Sequence, residues 1–187
     1  MSASTATGID PGNVQTAIVV ILEKEIVYKA ILPNNEAFNW LHTTWRTKYF
    51  SPVLMEKMVC MGMPAGKTMW DTAMWIGRFI EALRCSPLAL VSRMEIKMHF
   101  CGTTRAKDGN IRQALLDRYG PQGTKKEPGA TYQVAKDMWS ALAIAAYMQD
   151  HTVGPEGSGG QFYTMTANAK VDVIDWGSSG TPYLTTL

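Results

Sequence analysis

Up to Leu32 the chain is a series of apolar, β-branched runs broken by turn residues. Thr7 to Asp10 lead into a Pro11-Gly12-Asn13 turn, and a β-branched run follows from Val14 to Leu22. Glu23-Lys24-Glu25 interrupts the run, and Ile26 to Leu32 resume it. Three such runs separated by turn residues predict an antiparallel meander. Pro33-Asn34-Asn35 closes the third. With Asn35 as a candidate N-cap, Phe38, Leu41, Trp45 and Tyr49 recur at helical spacing and predict a helix over about 36–48. Val53 to Val59 reads as a short apolar strand with a charge inside it, followed by a Gly/Pro loop. A helix is predicted over about 68–84, with Trp70, Ala73, Met74, Gly77, Ile80 and Leu83 inward. Pro87 ends that connection. Leu88 to Val91 reads as a strand, and residues 92–99 and about 106–119 as helices. The segment 120–129 holds three Gly and two Pro and is a loop. A last helix is predicted over about 132–149.

The order β-β-β-α-β-α-β-α-α implies an α/β fold whose sheet mixes an antiparallel meander with parallel strands, flanked by helices. The length of 187 residues fits one domain, placed at 1–150, with a C-terminal tail over 151–187. That tail carries six Gly and three Ser. Part of it is expected to be poorly ordered, while Lys170 to Trp176 could add a strand. No internal repeat is visible. Apolar residues at 46% and charged ones at 18% exclude a disordered chain. No apolar run approaches the ~20 residues of a membrane span, and the N-terminus lacks the layout of a secretion signal. Cys60, Cys85 and Cys101 form no CxxC pair, so reduced, mostly buried thiols in a cytosolic protein are expected.

Three carboxylates ask for an explanation. Asp10 ends a strand, where aspartate is a poor strand former, although Asp-Pro-Gly is also good turn chemistry. Glu56 lies among Val53, Leu54, Met55, Met58 and Val59, where burial of its charge would be costly unless it is paired. Lys57 cannot be that partner, because neighbours in a strand point to opposite faces. A solvated strand end is the plainer account. Asp137 opens an apolar helix, a place the helix dipole also favours. Gathered together, the three would make an all-oxygen site suited to Mg²⁺ or Mn²⁺. Two such ions ~3.5–4 Å apart can drive phosphodiester cleavage.

Gly8-Ile9-Asp10-Pro11-Gly12 with its meander, VLMEKM around Glu56 and DMWSALAIAAY around Asp137 together resemble the RuvC-type Holliday-junction resolvases of the RNase H-like superfamily. The resemblance covers about residues 7–149, includes IKMHFCGTTRAKDGNIRQALLDRYG, and has the flavour of phage-borne members. It implies a homodimeric endonuclease using two Mg²⁺ ions per site, with Mn²⁺ as a substitute. Such an enzyme nicks four-way DNA junctions, leaves 5′-phosphate and 3′-hydroxyl ends, and serves recombination and repair in the cytoplasm, here a host cytoplasm. Asp10, Glu56 and Asp137 match three of the family's acids. Ser140 stands at the place of a fourth, with Asp71 and Asp108 as lesser substitutes. Lys97 and Lys107 match its functional lysines, and Lys107 is expected at the scissile phosphate or its leaving oxygen. Two alternatives stay open: another RNase H-like nuclease acting on RNA–DNA hybrids or flaps, and a non-catalytic junction-binding protein.

Charge supports a DNA partner locally rather than globally. The net charge is only +2. Residues 97–126, however, carry seven Lys and Arg against Asp108 and Asp117. Lys97, Arg105, Lys107 and Arg112 are candidate phosphate contacts, with Lys67 as an outlier. Gly66-Lys67-Thr68 lacks the earlier glycine of a phosphate-binding loop, since Met61 holds that place, so no nucleotide cofactor is expected. His42, His99 and His151 have no metal-ligand spacing and read as structural. Six of the twelve Met fall between Met55 and Met74. By the resemblance, Trp70, Met74, Trp75 and Phe79 are candidates for a dimer interface.

Overall fold

The computed structural model describes residues 5–49, 51–60, 62, 64–84, 88–153, 164–165, 170–175 and 183–186. Strands β1 (Thr5–Pro11), β2 (Gln15–Leu22) and β3 (Glu25–Pro33) form the expected meander. Helix α1 (Asn34–Trp40) runs into a π-helical stretch, Leu41–Tyr49. Thr43 and Thr47 donate their hydroxyls to the carbonyls of Asn39 and Thr43, a side-chain competition that loosens the helical ladder there. Next come β4 (Val53–Glu56), α2 (Lys67–Ala82), β5 (Leu88–Val91), α3 (Arg93–Cys101), α4 (Asp108–Tyr119) and α5 (Met138–His151). The chain ends with β6 (Thr152–Val153), β7 (Thr164–Met165), β8 (Asp172–Asp175) and β9 (Tyr183–Thr186).

One seven-stranded sheet runs in the order β3-β2-β1-β4-β5-β8-β9. The β1–β4 and β4–β5 pairs are parallel, and the other pairs are antiparallel. The strand anticipated at 170–176 is β8, which pairs with β5 and is fastened by a Lys57–Asp172 ion pair of 2.5 Å. The expectation of poor order in the tail falls on residues outside the described ones, as do Cys85 and Trp176. Among the described residues no helix is long and apolar enough to cross a membrane.

Each face of the sheet has its own core. On one face Ala6, Leu54, Ala89 and Val91 meet α5, α3 and α4. On the other Ile9, Ile18, Val53 and Met55 meet α1, the π-helical stretch and α2. Trp45 is fully buried there and donates its indole N–H to Thr7 Oγ1 at 3.0 Å.

Several expectations need correction. Helix α2 buries Thr72, Ile76, Phe79 and Ala82, while Trp70 and Met74 are 63% and 64% exposed. Ile80 and Leu83 pack inward as expected, whereas Trp70, Met74 and Gly77 do not. Phe79 is fully buried in the chain's own core and is unavailable to a partner. Residues 132–137 are turns rather than helix, since Gln133 and Lys136 adopt positive φ of 62° and 49°. The strand expected to reach Val59 ends at Glu56. The helix expected to follow Asn35 begins at Asn34, with Pro33 at the cap. Cys60 is exposed, against the mostly buried thiols expected, and Cys101 is half-buried against the core.

Candidate active site

Two glycines explain how Asp10 is positioned. A Cβ on Gly8 would stand 2.1 Å from the carbonyl oxygen of Ala141 and 2.4 Å from the backbone nitrogen of Ala145. Only glycine lets β1 press against the backbone of α5. A Cβ on Gly12 would stand 2.5 Å from the Gln15 carbonyl oxygen, so the turn after Asp10 also needs glycine. Asn34 fixes that turn. Its amide donates to the Gly12 carbonyl at 2.9 Å and accepts from Thr16 Oγ1 at 2.7 Å.

Strand period then aligns the acids. Ala6 and Gly8 face α5, so Asp10 does too. Leu54 faces α5, so Glu56 does too. The parallel register Gly8↔Leu54 and Ile9↔Met55 continues to bring Asp10 beside Glu56. Helix α5 supplies the third acid. The Asp137 carbonyl accepts the first helical bond, from Ala141 N–H at 3.0 Å. Asp137 and Ser140 therefore lie at the helix end next to Asp10. Ligand sites of open α/β sheets favour this carboxyl edge of parallel strands.

The electrostatics report the convergence. Burial, then the nearby Glu56 and Asp137 charges, push the Asp10 carboxyl up to about 7, against the pull of Arg93 and of a hydrogen bond from Ser140. Burial also raises Glu56, opposed by Arg93 and Lys97 and assisted by Asp108. Arg93 had no place in the sequence reading. Its Nη1 stands 3.6 Å from Glu56 Oε2, and its Nη2 donates to Asp108 Oδ1 at 2.7 Å. Glu56 Oε2 and Arg93 Nη1 are both buried without a hydrogen-bond partner. The signal was available: Arg93 directly follows Ser92, the N-cap of α3, at the end of β5 on the same sheet edge.

The basic candidates divide. Lys97 is half-buried on α3 and acts on Glu56. Lys107 is exposed at the start of α4, its backbone N–H held by Asn110 Oδ1 at 2.9 Å. Arg105 is exposed in the turn before it. Arg112 lies over the Trp139 ring at 4.9 Å and donates to Gln122 at 3.2 Å. A cleft of about 490 Å³ joins Arg93, Asp108, Arg112, Lys136 and Trp139 to Asp137. Lys67 is paired with Asp71 of its own helix at 2.6 Å. The histidines serve packing and pairing: His42 stacks on Phe38, and His99 bonds Asp150 at 2.8 Å.

Among the described residues, no three His, Cys, Asp or Glu side chains stand close enough together to hold a metal ion as they are. The donors still suit a hard divalent cation. They are all oxygen. Glu56 Oε2 lacks a hydrogen-bond partner, and Asp10 carries a carboxyl that a nearby cation would relieve.

No family model matches the chain. No curated protein matches it in sequence. Its fold is similar to that of RuvC from Thermus thermophilus. A structure of that protein in complex with a Holliday junction substrate aligns at a TM-score of 0.62 and 14% identity, covering 79% of this chain and 92% of that one. A second Thermus thermophilus RuvC structure aligns at 0.55 and 17%, with the same coverage. The RNase H-like mixed sheet flanked by helices is the fold expected from the sequence.

Proposed function

We propose that this protein is a divalent-metal-dependent endonuclease that nicks branched DNA, with the four-way junction as its substrate. One observation supports the reading: Asp10, Glu56 and Asp137 come from separate elements to one edge of an RNase H-like sheet, where the charges of Glu56 and Asp137 act on Asp10. The flanking cations Lys97, Arg105, Lys107 and Arg112 are suited to DNA phosphates, which position a substrate without reading its sequence.

Asp10 and Asp137, together with Glu56, would hold Mg²⁺ or Mn²⁺. Such a cation supplies charge stabilisation at the scissile phosphate and lowers the pKa of water. Lys107 donates to a phosphate oxygen or to the leaving 3′ oxygen. Water adds at phosphorus and the P–O3′ bond breaks, leaving a 5′-phosphate and a 3′-hydroxyl. A second copy of the chain would dock on the exposed Trp70 and Met74 of α2 and give two sites for two strands.

Ser140 and the Arg93–Glu56 pairing favour a second reading, a junction-binding protein without cleavage. A substrate panel separates these readings. A labelled four-way junction, a linear duplex, a flap and an RNA–DNA hybrid are each incubated in Mg²⁺ and in Mn²⁺. Symmetric nicks in the junction alone support the proposal. Cleavage confined to the hybrid or flap assigns a different RNase H-like nuclease, and tight junction binding without cleavage in either metal assigns the second reading.

A further inference from the structure

The acidic edge already contains a cation belonging to the chain. Helix α3 starts immediately after β5, and the parallel register Glu56↔Val91 sets its first residue, Arg93, beside Glu56. The guanidinium spans two carboxylates, at 3.6 Å from Glu56 and 2.7 Å from Asp108. Its side chain is 25% exposed and that of Glu56 20%, so this is not a solvated surface pair. The contact to Glu56 is charge without a hydrogen bond, since 3.6 Å is too long for one. Attraction of that kind is weakly screened away from bulk water.

We infer that Arg93 takes the place of the second divalent ion, so that the site binds one metal ion held by Asp10 and Asp137, with Glu56 between that ion and the guanidinium. This rests on the nuclease reading and deepens it. Two ions in one site need a bridging carboxylate and further acids for each ion. Here Asp108 is committed to Arg93, Glu56 is shared with it, and Ser140 contributes a neutral hydroxyl that bonds Asp10. Among the described residues, Asp10 and Asp137 remain without an ion pair of their own. That suffices for one Mg²⁺, which commonly keeps several waters and one or two carboxylates. A planar guanidinium with several donors is also suited to stabilising charge on a phosphate oxygen. Arg93 lines the cleft that leads from Asp137 along α4, where the substrate backbone would pass.

The test counts ions. Mn²⁺ bound to the protein–junction complex is measured by electron paramagnetic resonance, and the ions held by the junction alone are subtracted. The wild-type chain is expected to hold one ion, Arg93→Lys one, and Arg93→Ala two. The Mg²⁺ dependence of nicking should steepen from first to second order in Arg93→Ala. Arg93→Gln, shorter than arginine but polar and neutral, replaces Arg93→Ala if circular dichroism shows that the alanine variant is unfolded. Two ions in wild type, or one ion in both wild type and the neutral variant, overturn the inference and leave the nuclease reading standing. No bound ion in any form overturns both.

Discussion

The two faces of the sheet are built on opposite plans. On the α5 face, Gly8 meets Ala141 and Ala145 backbone to backbone, and the contact has no slack. On the opposite face, Trp45, Phe79, Leu41 and Leu83 fill the space between sheet and helices with large side chains. A bulky core can absorb small shifts by changing rotamers. A contact between backbones cannot, so it fixes where Asp10, Asp137 and Ser140 stand relative to one another. Position is set on the thin face, where backbones meet, and the opposite, thick face is spaced from its helices by large side chains.

Substitutions can break this contrast. Phe79→Ala on the thick face is expected to cost ~3–5 kcal/mol through the cavity it leaves. Urea unfolding would measure the loss, and nicking per folded molecule should stay near wild type. Gly8→Ala on the thin face must push backbone aside and should cost at least ~1–3 kcal/mol for an overpacked contact. Its nicking rate should also fall by roughly 100-fold, because a shift of about 1 Å misplaces the acids. Equal ratios of stability lost to activity lost in the two variants would erase the distinction.

The thin face has a second fastening at the far end of α5. Asp150 accepts two hydrogen bonds from Arg118, at 2.6 and 2.8 Å, and bonds His99 of α3. Burial works to raise its pKa, but these partners prevail and lower the carboxyl to about 2. The folded pKa lies below the unfolded value. The stabilisation is therefore present above about pH 4 and is lost as pH falls from there towards 2. Asp150→Asn should lower stability by about 1–2 kcal/mol at pH 7, with the difference from wild type closing near pH 2. A difference that persists unchanged at acid pH would assign Asp150 a packing role. Smallest in stability is Trp70→Glu, within ~0.5 kcal/mol for an exposed position. Sedimentation should nonetheless show it as a monomer where wild type is a dimer, and unchanged association would move the interface elsewhere.

The sequence reads the two faces with unequal success. The meander is legible because β-branched runs lie between turn residues, and β5 because a short apolar run follows Pro87. Glu56 is legible because a charge inside an apolar strand stands out. Gly8 and Gly12 mark the ends of the Asp10 segment, although the reason for Gly8 lies on α5, more than 130 residues away. The thick face misleads at α2. That helix carries two apolar stripes, Trp70-Met74 and Ile76-Phe79, and only packing decides which turns inward. The start of α5 is misread because the positive φ at Gln133 and Lys136 carries no glycine to announce it. Arg93 escapes notice because its partners, Glu56 and Asp108, are distant in sequence on both sides.

The most direct test of the central claim is scission of a synthetic four-way junction in Mg²⁺ by the wild-type chain and by Asp10→Asn. Paired nicks at symmetric positions by wild type, absent in Asp10→Asn while junction affinity is kept, are the expected result. Nicking that survives in a folded Asp10→Asn chain would contradict it.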